Sequence, residues 1–188
     1  MTALIHPWTA PTSPEAEALA ASIRALIPRI DTTRLTLRAP QKSDFTVWAE
    51  IFCTDRAEHI GGPVSQDAAW FDFCLNRANW LLRGHGMWTV EDRHHQVLGF
   101  VLIGLEPGDQ EPELGYLFAA AGEGQGYATE AATAARDHAL TRLRLPALVS
   151  YIAPANARSR AVARRLGATP DGDIDGCEIW RHAPKGRP

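Results

Sequence analysis

No two of the three cysteines, Cys53, Cys74 and Cys177, stand near one another, and the chain has no Cys-x-x-Cys pair. An odd, scattered set builds neither a disulfide framework nor a zinc site, so reduced, buried thiols in a cytoplasmic protein are expected. Long apolar runs are missing as well. The longest interior one, "VLGFVLIGL" (Val97 to Leu105), is far too short for a bilayer and suits a buried strand. The opening segment has no basic stretch ahead of an apolar core, so a secretory leader is not expected. A net charge of only −3 gives no electrostatic basis for nucleic acid or an anionic membrane as partner. Neither G-x-S-x-G nor H-E-x-x-H occurs.

What remains is ordinary globular composition in 188 residues, enough for one domain with its own core. Met1 to Pro11 reads as a loose tail. "SPEAEALAASIRALIP" follows as a short helix with Ser13 as cap, Pro14 at its first position and Pro28 past its end. Leu19, Ile23, Leu26 and Ile27 share one face, so this helix is expected to dock, on its own domain or on a second subunit of a homodimer. "RLTLRAP" alternates as a strand. "SDFTVWAEIF" and "SQDAAWFDFCLNRANWLLR" read as helices capped by Ser43 and Ser65. "GMWTVED" and "QVLGFVLIGLE" form a hairpin turned at "RHHQ", and "EPELGYLF" is a further strand. A helix runs from about Gly126 to Leu143, "ALVSYI" is a strand, "NARSRAVARRLG" a helix, and "GCEIWRH" the closing strand. The alternation is that of an α/β (α+β) domain. Units are expected at 1–30 (tail and helical extension), 31–182 (the domain) and 183–188 (a short tail).

"GEGQGYATEA" (Gly122 to Ala131) places three glycines at alternate positions directly before an alanine-rich helix. A helix N-terminus leaves its first N–H groups unpaired, and glycines allow the backbone to curl so that several converge on one anion. A diphosphate is the natural guest, although the loop by itself also reads as a plain turn. A Walker loop needs Gly-Lys before Ser or Thr, and Gly126 is followed by Tyr127. The dinucleotide fingerprint needs a third glycine where Tyr127 stands and a carboxylate about twenty residues on, where "ALTRLRLPALVSYI" has none.

The wider segment "ELGYLFAAAGEGQGYATEA" (Glu113 to Ala131) resembles the cofactor segment of the GNAT (GCN5-related N-acetyltransferase) superfamily, above all its RimJ/RimL branch. "RLTLRAPQKSD", "GMWTVEDRHHQVLGFVLIGL" and "NARSRAVARRLGA" resemble, in order, its first strand, central hairpin and late Asn-x-x-Ser helix. The resemblance covers roughly Asp31 to His182. It implies a mixed, mostly antiparallel sheet flanked by helices, opened near the Glu113–Phe118 strand to admit acetyl-CoA. It also implies backbone donors for the cofactor at Gly124, Gln125, Gly126 and Ala128, further cofactor contacts at Tyr127 and at the Thr129 hydroxyl, and Leu117, Phe118 and Asn156 along the pantetheine arm. Two positions depart from the family pattern: Glu123 stands where Gln, Arg or Trp is usual, and Ala168 where an aromatic residue is usual.

The implied reaction moves an acetyl group to a small-molecule or peptide amine, with no metal and no covalent enzyme intermediate. A lysine amine costs about 4.6 kcal/mol to deprotonate at pH 7, and an α-amine near 8 about 1.4 kcal/mol, so a general base matters. Glu113 is the candidate, read either as that base or as a solvated residue beside Glu111. Ser159 is the candidate acid by resemblance, one helical turn after Asn156; alternatively Asn156 is a pure cap and Ser159 a packing residue. Tyr116 is expected in the core or on the acceptor pocket. Arg158, Arg160, Arg164 and Arg165 read either as a 3′-phosphate contact or as a solvated face. Trp48, Trp70, Phe71, Phe73 and Trp80 are expected chiefly in the core. "DGDIDG" (Asp171 to Gly176) begins like a calcium loop, but its twelfth position is His182, so a turn is expected. His94 and His95 in the hairpin turn lack a third ligand. A non-catalytic acyl-CoA-binding module is the alternative function.

Overall fold

The structure, a computed structural model, describes residues 5–182. Helix α1 (Pro14–Arg24) is followed by strands β1 (Ile30–Asp31) and β2 (Leu35–Arg38), then helices α2 (Phe45–Phe52) and α3 (Gln66–Arg83). The hairpin of β3 (Met87–Asp92) and β4 (Val97–Gly104) leads to β5 (Glu113–Phe118) and helix α4 (Tyr127–Thr141). Strand β6 (Val149–Ile152), helix α5 (Ala157–Arg165) and the hairpin β7 (Thr169–Ile174) and β8 (Cys177–Arg181) follow. All eight strands form one sheet in the order β1-β2-β3-β4-β5-β6-β8-β7. Every neighbouring pair is antiparallel except β5 and β6, which are parallel.

The period-2 pattern of the central strands decides what packs on each face. Trp88, Val90, Val101 and Ile103 point to one side, where they meet α4 through Ala131, Ala132, Ala135 and Ala139, all wholly buried. Alanines there let the helix axis lie close to the sheet. Met87, Phe100 and Leu102 point to the other side, against Phe45, Trp48 and Ile51 of α2 and Phe73 of α3. Each such large side chain contributes roughly 2–3 kcal/mol of burial. Between Val90 and Glu91 the β3–β4 register shifts by one residue, from Gly99 to Val97 on β4, so Leu98 is the extra residue and the alternation changes phase inside β4. At Gly99 a Cβ would stand 2.2 Å from the carbonyl of Leu117, so only glycine allows β5 to come this close.

Several expectations are corrected. Helix α1 forms with Ser13 as its cap, but it buries no residue: Leu19, Ile23 and Leu26 are 64%, 40% and 82% exposed. Of the four apolar residues only Ile27, beyond the helix, reaches the core. Residues 1–4 and 183–188 of the expected tails lie outside the described residues; nearer α1 the segment is anchored, because Trp8 packs on Phe45 and Trp70 with ring centroids 5.0 and 5.9 Å away. Ser65 caps α3 as expected, but Ser43 does not cap α2. Asp44 stands at that position, and its buried carboxylate accepts from Arg38, Thr89 and the N–H of Gln41. Phe71 is 75% exposed on the outer face of α3. The three thiols are free and half-buried rather than buried. Of Asp171 to Gly176, expected as a turn, only Asp175–Gly176, both at positive φ, form it; Asp171 to Ile174 belong to β7. Among the described residues no helix is long and apolar enough to cross a membrane.

Candidate active site

Strands β5 and β6 are in ladder register only at Glu113 and Val149. Beyond that pair the inner edge of β5 faces α5 instead of a neighbouring strand. A side-chain bridge takes over at the fork: Ser150 Oγ donates to the Leu114 carbonyl at 2.7 Å and is itself 2.9 Å from His182 Nε2. The opening exposes β5 to a cleft of about 1550 Å³ lined by Leu117, Phe118, the glycine loop and α5.

The glycine loop is shaped as an anion cradle. Gly124 and Gly126 have φ of +75° and +78°, and Gly126 caps α4 without any side-chain hydrogen bond. Among the described residues no acceptor meets the N–H groups of Gly124 to Thr129, since the first helical bond runs from Glu130 to Gly126. A Cβ at Gly124 would meet nothing within 4 Å, and one at Gly126 only Arg34 Nη2 at 3.6 Å. Free donors around open space at a positive helix end fit a diphosphate.

Two charged clusters hold this loop, and neither could be read from the sequence. Arg34, at the foot of β2, donates to the Gln125 carbonyl at 2.9 Å and to Glu130 at 2.7 Å, and lies 4.6 Å over the Tyr127 ring. Burial raises the Glu130 carboxyl, but hydrogen bonds from Thr32 and from the backbone and guanidinium of Arg34 more than reverse that and hold it below the ordinary range. The second cluster answers the unusual Glu123. Its carboxylate is ion-paired with Arg56, from the turn after α2, and with Arg158 of α5 at 2.9 Å. Arg56 also donates to the Phe118 carbonyl at 3.0 Å. Of the α5 arginines, Arg158 and Arg165 line the cleft, whereas Arg160 faces Glu178 and Arg164 lies over Trp180.

A second cavity of about 480 Å³ lies on the other side of β5 and contains Glu113. Burial pushes the Glu113 carboxyl up to about 8; the N–H of Tyr151, 3.3 Å away, pulls against this, and Asp109 and Glu106 reinforce it. Asp72 of α3 faces the same space, its carboxyl raised to about 6 by burial and by Glu106. The cavity and the cleft share His59, Ile60, Tyr116, Leu117, Asn156 and Ser159, so the two spaces meet beside these residues. Asn156 caps α5 by accepting from the Ser159 N–H at 3.0 Å, while the Tyr116 hydroxyl donates to the Ser159 carbonyl at 2.8 Å. The Ser159 backbone is thus fixed from both ends, and its hydroxyl makes no hydrogen bond among the described residues. The tyrosine hydroxyl is pushed well above its ordinary range by burial and by Glu113, so it stays protonated.

Residues 34–169 match the acetyltransferase (GNAT) domain family. The chain belongs to the GNAT acetyltransferases. An acetyltransferase from Agrobacterium tumefaciens is 38% identical, with a TM-score of 0.80 over 84% of this chain and 95% of that one. RimL, a ribosomal α-N-protein acetyltransferase solved in complex with coenzyme A, is 21% identical with a TM-score of 0.67 over 82% of this chain and 97% of its own. RimJ of Mycobacterium smegmatis, in complex with a CoA disulfide, is 21% identical with a TM-score of 0.58, over 78% and 79%. At that identity the likeness shows the fold alone. The GNAT fold and its RimJ/RimL-like neighbours agree with the resemblance read from "ELGYLF" and "GEGQGYATEA". No group of three His, Cys, Asp or Glu among the described residues is placed to hold a metal.

Proposed function

We propose that this GNAT domain transfers the acetyl group of acetyl-CoA directly to an amine, with Glu113 as general base. The observation that carries this is the meeting of two spaces beside Tyr116 and Ser159, one ending at a free backbone anion cradle and the other holding Glu113. The N–H groups of Gly124 to Thr129 would hold the diphosphate, and the open edge of β5 at Leu117 and Phe118, with Asn156, would hold the pantetheine arm. When bound, acetyl-CoA supplies the acetyl group as a thioester. Glu113 takes the proton from the amine, and its raised carboxyl matches an acceptor that must lose a proton near neutrality. As the nitrogen bonds to the acetyl carbon and the C–S bond breaks, the free hydroxyl of Ser159 passes a proton to the departing thiolate and regains one from solvent, while Glu113 returns its own to solvent. Tyr116 positions Ser159 and stays neutral.

Of the three cysteines only Cys177 lines the Glu113 cavity, and burial, reinforced by Glu113, pushes its thiol up and away from the thiolate, which supports direct transfer over a covalent relay. Intact mass of the protein after incubation with acetyl-CoA alone tests this. The mass is expected to stay unchanged until an amine is added, when coenzyme A appears in step with acetylated amine. A stable acetylated enzyme that then passes its group to the amine would contradict direct transfer.

A further inference from the structure

The cavity that holds Glu113 is lined by carboxyl groups, with His59, 3.1 Å from Glu58, as its one imidazole. Asp72 from α3, Glu106 and Asp109 from the loop after β4, and Asp175 from the last turn line it together with Glu113, and no Lys or Arg does. Among the described residues none of these five carboxylates is in a salt bridge. The neighbouring acids are matched: Glu111 and Asp171 share Arg181, Glu178 faces Arg160, and Glu123 holds Arg56 and Arg158. Carboxyl groups crowded on low-dielectric walls resist ionising together, and a bound cation favours their charged forms. The rest of the wall is apolar, with Trp48, Phe52 and Ile60. The wholly buried Trp48 has an indole N–H without an acceptor, a donor that a carbonyl on a bound acceptor would satisfy.

We infer that the acceptor is an amine carrying a second positive charge, held by Asp72 and Glu106 while the reacting nitrogen faces Glu113. This rests on the reaction proposed above and names its substrate class. A linear diamine and a peptide whose N-terminal amine is followed by Lys or Arg share this chemistry, and the unpaired Trp48 donor distinguishes them, because only the peptide offers a carbonyl. Asp72 is steadied by Asn76 Nδ2 at 3.3 Å, whereas Glu106 is exposed at the cavity rim. The first anchors the distal charge and the second admits it.

The test compares acceptors in pairs that differ by one charge: a linear monoamine against the diamine of equal length, and Ala-Ala amide against Ala-Lys amide. Coenzyme A release is followed for the parent protein, Asp72→Asn and Glu106→Gln. In at least one pair the added charge is expected to raise kcat/KM about tenfold or more. That gain should shrink in both variants, with acetyl-CoA affinity unchanged. Glu106→Gln, on an exposed loop, serves if Asp72→Asn fails to fold. Trp48→Phe should slow the peptide and leave the diamine alone. Equal rates within both pairs would overturn the inference and leave the proposed reaction standing. If no amine is acetylated although acetyl-CoA binds, the proposed reaction fails. Calorimetric titration of the diamine and of Ala-Lys amide then decides the inference alone: binding that Asp72→Asn abolishes supports it, and absence of binding overturns it.

Discussion

Replacing Glu113 by glutamine should abolish activity and stabilise the protein together. Raising a carboxyl from its ordinary 4.5 to about 8 by burial means that the folded state resists its ionisation. The folded value lies above the unfolded one, so this contribution to stability is intact below 4.5 and is lost as pH rises through about 8. At about 1.4 kcal/mol per pH unit, the ionisation penalty reaches about 3 kcal/mol at pH 7 and about 5 kcal/mol at pH 9. Glutamine of the same shape retains an oxygen for the Tyr151 N–H and carries no charge. Urea denaturation of Glu113→Gln and the parent at pH 5, 7 and 9 should therefore show the variant more stable, by a margin that widens with pH. In the same preparations, kcat/KM for an amine should fall by roughly 10²- to 10⁴-fold. In the parent, kcat/KM should climb tenfold per pH unit below about 8, where the base is mostly protonated. A variant that is no more stable than the parent at pH 9 would refute the buried-carboxyl argument. Activity within a few-fold of the parent would refute the role of Glu113 as base.

His182 works in the opposite pH window. Burial, with Arg136 nearby, lowers it from 6.5 to about 4, so its contribution is present above 6.5 and lost as pH falls through 4. Denaturation midpoints should drop between pH 6.5 and 4, by at most about 3 kcal/mol, and His182→Gln should flatten that drop. Arg34→Ala removes the clamp on the Gln125 carbonyl and should weaken acetyl-CoA binding about tenfold by calorimetry, with the amine KM little changed. Glu123→Gln frees Arg56 and Arg158 and removes a carboxylate from the cradle. Acetyl-CoA should bind several-fold more tightly and with a steeper salt dependence; weaker binding would mean that the glutamate organises the two arginines.

Local patterns carried most of the fold into the sequence. The β3–β4 hairpin, β5, α3 with its Ser65 cap and the glycine loop with the alanine face of α4 were legible because each depends on residues a few positions apart. What failed depends on distance or on competition. Ser43 has capping chemistry, but Asp44 takes the position because Arg38 and Thr89 reach its carboxylate from β2 and β3. Strand β7 has Pro170 and Gly172 and almost no apolar pattern; it forms by pairing with β8 across the Asp175–Gly176 turn. The apolar spacing of α1 is real, yet Leu19 and Leu26 find nothing to pack on among the described residues. At the site, motif resemblance singled out Glu113, Asn156, Ser159 and the loop, which the fold places on the two adjoining spaces. Arg34 with Glu130, and Arg56 with Glu123, stand 96 and 67 residues apart, and no local pattern joins them. The acidic lining comes from α3, the loop after β4, β5 and the last turn, and exists only once the chain has folded.

The most direct test of the account is calorimetric titration of the folded protein with acetyl-CoA, with NADH and ATP as controls. The free donors of Gly124 to Thr129 and the open edge of β5 predict saturable one-to-one binding of acetyl-CoA, with neither control competing. A folded protein that gives no heat with acetyl-CoA, or that binds all three alike, would contradict the cofactor cradle, and the reaction proposed from it would fall too.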